Sequence, residues 1–418
     1  MVAIIQQLGP ETIMIKWDFA DAFRQVPVSP DDTPLLGFSF RDQFYAERFL
    51  PFGLRTAPYL FNLFAELFHW LLEQHLQVAV EGAQARVVHY LDDFIVLLPP
   101  GYDWRPASDL FQQLAGEVGL KVKEKKNEEG MVVNFGGVIF DTCRMVIRLP
   151  SEKKTKGLAI MAGLCPQSTP TITLYDLQQL TGFLNFVTLV VPIGRAFLRR
   201  LYNLQQFFPH SRFARRRLSR EAQKDLTWWR SLLTSPAAIE RSFQQGERRT
   251  FLLWTDAAGL KGLGGYYQLA SPDQADPTSH LRNIDPAEAF MLVLPRTIQL
   301  RQEHINTKEM RAVEQGLLRW GRVWKGARVI SHIDNQAVVH GIANHTIWGT
   351  TMDVLRRCLL LTSKHDIEFH PCWIPTEENK LADALSRCDR TMVTNLAPQL
   401  SSLFDHQLHG FQMSEIRD

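Results

Sequence analysis

The sequence predicts a mixed α/β protein built from more than one domain. Three observations carry this. The chain has 418 residues, and at roughly 150 residues per domain that length accommodates two or three. Residues 86–98 read Arg-Val-Val-His-Tyr-Leu-Asp-Asp-Phe-Ile-Val-Leu-Leu, two β-branched apolar runs around an acidic pair, which is the pattern of a hairpin with carboxylates at its turn. From Thr250 onward, strand-like and helix-like segments alternate over short distances, as in a compact α/β domain.

The elements follow in order. Residues 12–17 form an apolar strand that ends at Asp18. Residues 59–80 carry Leu, Phe and Ala at helical spacing after Pro58, so a helix starts there. After the 86–98 hairpin, a helix from about Ser108 to Val118 meets Gly119, a residue suited to a left-handed C-terminal cap. Phe135–Phe140 reads as a short strand region, and 174–205 and 219–233 as mainly helical. Gln244–Glu247 is a polar junction. Beyond it, strands are expected at 250–256 and 262–269, and a loop at 271–287. A helix at 307–320, a strand at 327–334, a helix near 349–363, a strand near 366–374 and a helix near 377–386 complete the pattern. The last thirty or so residues read as loosely structured.

The composition is that of a globular protein, 45% apolar and 22% charged. The net charge of +2 does not announce a nucleic-acid partner. Local charge does: between Arg195 and Arg249 thirteen Lys/Arg face four Asp/Glu, and Arg215, Arg216 and Arg217 are consecutive. Such a run can bind phosphates and release counterions, or serve as a solvated surface. Five cysteines, Cys143, Cys165, Cys358, Cys372 and Cys388, form no CxxC pair. The odd count argues against a disulfide framework and fits a reducing, intracellular compartment. No signal-peptide pattern opens the chain. No apolar run reaches the roughly 18 residues a membrane span needs.

Two carboxylate sets stand out. Asp18 ends one strand, and Asp92 and Asp93 sit at a hairpin turn with apolar flanks. A plain surface hairpin would alternate polar and apolar residues, and adjacent buried carboxylates repel without a cation. Transfer of a nucleotide needs acidic side chains from separate strands that hold two divalent cations at one point. Five segments then resemble, in order, the palm motifs of reverse transcriptases. They are Asp18-Phe-Ala-Asp-Ala-Phe23 with Arg-Gln-Val-Pro-Val28, Leu50-Pro-Phe-Gly-Leu-Arg-Thr-Ala-Pro58, Tyr90-Leu-Asp-Asp93, Gly119-Leu-Lys-Val-Lys-Glu-Lys-Lys126 and Phe135-Gly-Gly137. The resemblance implies an RNA-directed DNA polymerase with Asp18, Asp92 and Asp93 as metal ligands. It implies that Phe23 packs under the incoming sugar and favours dNTPs, and that Phe52 and Gly53 shape the nucleotide pocket. Lys125 or Lys126 would face the triphosphate, and Gly136 and Gly137 would grip the primer. Pro30-Asp-Asp, Leu35-Leu-Gly37, Asp92-Asp-Phe94 and the stretch Leu177–Phe186 resemble retroelements of the DIRS type, related to gypsy elements.

The second set is Asp256 at a strand end, Glu309 in a helix, Asp334 at another strand end and Asp383 in the last helix. Taken singly, each is a turn, a helix-dipole charge or a solvated face. Together they resemble the four-carboxylate pattern of ribonuclease H, with Asp334-Asn-Gln336 and Trp373-Ile-Pro375 before Asn379 in support. That resemblance implies two cations and hydrolysis of RNA in an RNA–DNA hybrid, sensed through 2′-hydroxyls. Asn379 would contact nucleic acid. Some relatives carry a His just after the Trp-x-Pro, where this chain has Thr376-Glu-Glu378.

The resemblance implies a right-hand polymerase palm over 1–148, with the fingers largely missing because only seventeen residues precede Asp18. A basic helical thumb and connection would span 149–245, a ribonuclease H-like α/β domain 246–390, and a tail 391–418. Mg²⁺ or Mn²⁺, two per site, are the implied cofactors. RNA template, DNA primer, RNA–DNA hybrid and dNTPs are the implied partners, with no membrane. Two readings remain: an enzyme with both activities, or a polymerase-inactive relic or nucleic-acid-binding protein that keeps the fold, with at most the hydrolase active.

Overall fold

A computed structural model describes the chain except residues 81–83, 124–126, 165–170, 209–213, 245, 247, 271–280, 282, 295–301 and 405–418. Lys125, Lys126, Cys165 and Arg212 lie outside the described residues. The chain divides into two compact units, Met1–Leu158 with Leu233–Gln245, and Ala159–Leu232 with Gly246–Asp418. The 149–245 segment, expected as one connection, is therefore shared between the two.

The first unit centres on a four-stranded antiparallel sheet. Its order is Arg86–Tyr90, Asp93–Leu98, Ile13–Asp18, Glu128–Gly130. Side chains alternate across such a sheet. Ile15, Trp17, Phe19, Phe94, Val96 and Leu98 point to one face and enter a buried core. Helices Ala57–Ala79 and Arg105–Glu117 supply the rest of that core through Phe61, Phe68, Leu72 and Phe111. Trp17 stacks on Phe111 at 4.1 Å, and Phe19 meets Phe68 edge-on at 5.3 Å. The same alternation sends Asp18 to the opposite face.

A second four-stranded sheet runs Glu240–Ser242, Val146–Arg148, Val138–Asp141, Val132–Phe135. The Phe135–Phe140 region, expected as one strand, is thus a hairpin. Gly136 and Gly137 form its turn with φ of 60° and 81°, the two left-handed positions that a two-residue turn of this hand demands. A separate hairpin, Gly37–Phe40 with Gln43–Ala46, was not legible in the sequence. Its strands are exposed on both faces, so no burial pattern marks them.

The second unit is a five-stranded sheet with helices on both faces. The order is Ala289–Val293, Gly262–Leu269, Thr250–Ala258, Arg328–Ile333, Glu368–Trp373. The first three strands are antiparallel, and the last two run parallel to Thr250–Ala258. Helix Ile305–Trp320 packs on one face and helix Lys380–Ser386 on the other. Strand Ala289–Val293 and helix Gln336–Asn344 were not expected from sequence. Arg215–Arg217 pairs with Thr171–Thr173 as a short two-stranded sheet.

One expectation is corrected. Residues 390–404 are not loosely structured: Arg390–Leu396 is a helix and Pro398–Phe404 a 3₁₀ segment. Val393, Ala397 and Leu400 are fully buried in the core beneath Lys380–Ser386. Their apolar side chains are spaced at helical intervals within a short polar stretch, too brief for periodicity to stand out. No helix among the described residues is long and apolar enough to cross a membrane.

Gly264 is one of the points where this packing is tightest. A Cβ there would lie 2.3 Å from the Ser386 amide nitrogen and 2.6 Å from the Ala382 carbonyl oxygen. Gly116, in a helix, has nothing within 4 Å of the same point. Gly264→Ala should therefore destabilise the second unit by about 3 kcal/mol or more, as backbone must shift. Gly116→Ala should stabilise the first by ~0.4–1 kcal/mol, through chain entropy and helix propensity. Urea midpoints of the two variants would check both signs.

Candidate metal centres

The first centre is built by register. Asp18 stands directly opposite Asp93 in the antiparallel pair, on the face away from the helical core. Tyr90 pairs with Asp93 across the hairpin, so Leu91 and Asp92 form the turn, with Leu91 left-handed at φ 54°. The Phe19 amide donates to the Asp92 carbonyl at 3.2 Å, which ties the turn to the strand. Asp18 is buried and Asp92 half-buried. Burial first, then the charges of Asp18 and Asp93, push the Asp92 carboxyl above its ordinary range.

Residues 120–123 run beside the Asp18 strand end. The Lys123 amide donates to the Asp18 carbonyl at 2.9 Å, and the Ala20 amide to the Lys121 carbonyl at 2.7 Å. This puts Lys123 Nζ 3.3 and 3.2 Å from the two Asp18 carboxylate oxygens. Lys16 Nζ lies 3.6 Å from Asp93. Neither lysine was singled out in the sequence. Both were hidden because contact across strands, not spacing along the chain, brings them to the acids.

The neighbouring expectations divide. Phe23 packs against Phe52 at 5.4 Å and Phe61 at 5.6 Å. Phe52 is 66% exposed beside it. Gly53 has φ 94° with open space where a Cβ would sit. These residues line one aromatic wall. Arg215, Arg216 and Arg217 are exposed. Arg215 Nε donates to Thr171 Oγ1, and Arg216 Nε to the Phe207 carbonyl.

The second centre is tighter. Among the described residues, carboxylate oxygens of Asp256, Glu309 and Asp334 lie within 4.8 Å of one another. Asp256 and Glu309 are each 5% exposed. Two such charges within 4.8 Å of each other repel by ~3 kcal/mol or more at an effective dielectric of ~20. Burial chiefly, with Asp334 and Asp383 adding, raises Asp256 to about 6. Burial and the charges of Asp256 and Asp334 hold Glu309 well above the carboxylate range. Glu309 Oε2 is buried with no hydrogen-bond partner among the described residues. An oxygen-only donor set with an orphaned buried oxygen fits a hard divalent cation.

Packing explains the arrangement. The Ile305–Trp320 helix starts two residues earlier than expected, so Glu309 is its fifth residue and not in the first turn. Gly264 stands opposite Asp256 in the sheet, and its missing side chain lets the Lys380–Ser386 helix approach. Ser386 Oγ donates to Asp256 Oδ2. Thr376 Oγ1 donates to Asp334 Oδ2 at 3.0 Å. Asp383, the fourth expected acid, is instead paired with Arg387 Nε at 2.6 Å, one helical turn on. Ser386 and Thr376 were missed, although Ser386 follows Asp383 at a same-face helical spacing. Asn379 is corrected: it is 1% exposed, and its amide donates to the Thr255 carbonyl at 3.0 Å. It braces the strand that carries Asp256 and does not face solvent. An open cleft of about 510 Å³ lies beside the start of the Glu309 helix, lined by Asn306, Thr307, His340, Asn344 and Trp348.

Comparison with known proteins bears on the first unit most directly. Residues 2–157 match the family described as reverse transcriptase (RNA-dependent DNA polymerase). The Gag-Pro-Pol polyprotein of Human T-cell leukemia virus 2 is 25% identical over 206 residues, covering 44% of this chain and 12% of the relative. That of Human T-cell leukemia virus 3 (strain 2026ND) is 25% identical over 194 residues, with the same coverage of 44% and 12%. The match thus spans about an eighth of the length of these curated relatives. Among solved structures, a foamy viral protease-reverse transcriptase in complex with an RNA/DNA hybrid aligns with a TM-score of 0.45 at 17% identity. It covers 89% of this chain and 45% of that one.

The raised carboxyls set a pH dependence. A carboxyl whose folded pKa exceeds its unfolded value favours folding at low pH, and loses that contribution as pH rises through the window between the two. For Asp256 the window runs from 3.8 to about 6, worth at most ~3 kcal/mol. In EDTA, Asp256→Asn should therefore raise the melting temperature at pH 7 and have little effect near pH 4. Added Mg²⁺ should shrink the gain at pH 7. Calorimetry at the two pH values checks it; a melting temperature lowered at pH 7 would refute the repulsion argument.

Proposed function

We propose, from the premise that residues 2–157 are a reverse transcriptase domain related to retroviral Pol polyproteins, that this chain is an RNA-directed DNA polymerase joined to a hybrid-specific ribonuclease. The observation that carries it is the convergence of Asp18 with Asp92 and Asp93 at one sheet end, inside the segment that matches the family. The Asp256, Glu309 and Asp334 cluster in the second unit supports the hydrolytic half.

In this reading Asp18, Asp92 and Asp93 hold divalent cations at the polymerase centre, and Asp256, Glu309, Asp334 and Asp383 at the other. Mg²⁺ or Mn²⁺, two per centre, suit these oxygen donors. When bound, they neutralise phosphate charge and activate an oxygen nucleophile. The chain's own residues do the rest. Lys123 and Lys16 offset the acid charge and hold Asp18 and Asp93 in register. Phe23, backed by Phe61, presents a ring to the sugar of an incoming dNTP and leaves no room for a 2′-hydroxyl. Phe52 and Gly53 border the same pocket. Gly136 and Gly137 keep the hairpin turn narrow enough for a primer backbone to approach. Ser386 and Thr376 fix Asp256 and Asp334 by donating to them. Arg215, Arg216 and Arg217 offer phosphate contacts. The partners are an RNA template, a DNA primer and the hybrid they form. The motifs at Pro30-Asp-Asp32, Leu35-Leu-Gly37 and Asp92-Asp-Phe94 favour a DIRS-type element.

A second reading, hydrolysis alone, is favoured by one observation. Among the described residues, the three-acid grouping within 4.8 Å occurs in the second unit. One pair of variants separates the readings. On RNA–DNA hybrid with Mg²⁺, Asp256→Asn should lose cleavage by roughly 10²–10³-fold, the several kcal/mol such charge neutralisation is worth. It should still extend oligo(dT) on poly(rA), whereas Asp92→Asn should cleave but not extend. Extension absent from the unsubstituted chain would leave hydrolysis alone. Cleavage unaffected by Asp256→Asn would remove the second centre. In an extending enzyme, Phe23→Ala should raise incorporation of rNTPs relative to dNTPs, read from the two kcat/KM values.

A further inference from the structure

Helix Ala57–Ala79 packs on strand Arg86–Tyr90, and at that contact two histidines meet. His69 Nδ1 and His89 Nδ1 lie 2.7 Å apart, with ring planes 74° from each other. The His89 side chain is 8% exposed and lies flat on Phe94 at 4.9 Å. The outer nitrogens face carboxylates: His69 Nε2 is 3.4 Å from Glu73, and His89 Nε2 is 3.8 Å from Glu66.

A carboxylate beside Nε2 favours the tautomer with its proton on that nitrogen. With both rings in that tautomer, the two Nδ1 lone pairs point at each other and can share one ion. The 2.7 Å contact is met either by a proton on one Nδ1 donated to the other, or by a metal ion between the two. Burial, then the charge of His69, holds His89 below its ordinary value, so the second ring stays neutral, which is the form that binds metal. A histidine whose far nitrogen donates to a carboxylate is the usual arrangement around a protein-bound transition metal.

We propose that His69 and His89 are the nitrogen pair of a site for a borderline divalent transition metal of the zinc class. It staples the helix to the strand that leads into Tyr90-Leu-Asp-Asp93. Tetrahedral ligation at ~2.0–2.1 Å per nitrogen sets the two nitrogens about 3.3 Å apart, so the rings open by roughly 0.6 Å. His69 is 22% exposed, which leaves water to complete the shell. Imidazole pairs suit zinc, cobalt or nickel, whereas Mg²⁺ prefers oxygen. The site is thus chemically separate from both carboxylate centres, and it does not depend on the activity assigned to either.

Cobalt(II) is the probe, titrated into the tag-free full chain with saturating Mg²⁺ to occupy the oxygen sites. One equivalent should give the intense visible bands of tetrahedral cobalt, displaced by zinc and retained in Asp256→Asn. His69→Gln and His89→Asn should each weaken the apparent affinity by roughly tenfold or more. His69 is on a helix surface, so His69→Gln is the decisive variant, with far-ultraviolet circular dichroism to establish that it folds. Bands of equal strength in a folded His69→Gln would overturn the proposal. So would their absence from the unsubstituted chain, which would leave the pair holding only a proton.

Discussion

Like charges held together at the end of a sheet are the constraint around which both units are arranged. Asp256 and Glu309 are almost fully buried. Each is raised in pKa by burial first and by its acidic neighbours next. Such a cluster persists only when rigid elements prevent its members from turning away. Here the elements are two parallel-paired strands, a sixteen-residue helix and a short helix seated on Gly264. The hydrogen bonds from Ser386 and Thr376 complete the hold.

The first unit meets the same constraint differently. Alternation along Ile13–Asp18 commits Trp17 and Phe19 to an aromatic core with Phe68, Phe94 and Phe111. That core orients the strand, and the strand then presents Asp18 on its other face opposite Asp93. Lysines temper the charge: Lys123 on Asp18 and Lys16 on Asp93. The first cluster is partly neutralised by its own unit, whereas the second leaves a buried carboxylate oxygen unpartnered among the described residues. The two acidic sets are therefore not equivalent in their readiness to take a cation.

The histidine pair shows how much chemistry accumulates at one strand. Residues 86–98 carry His89, then the left-handed Leu91, then the two acids and Phe94. His89 and Phe94 stack across the hairpin from each other. Anything that stiffens the helix against this hairpin bears directly on the geometry of its turn.

Much of this was legible in the sequence, and the reason is short-range periodicity. The strand ending at Asp18, the hairpin around Asp92 and Asp93, the long helix after Pro58 and most of the strands and helices after Thr250, though not Ala289–Val293 or Gln336–Asn344, follow from patterns within a dozen residues. The seven acids were named from the same patterns, together with the family resemblance. What tertiary structure decided lay in contacts between distant segments. Lys123 beside Asp18, Ser386 on Asp256 and His69 against His89 depend on how elements dock. So does Asn379, which a motif marks for a ligand and the packing buries. Alternation and helical spacing tell each side chain which face of its own element it occupies. Only the register between elements tells it which partner waits there.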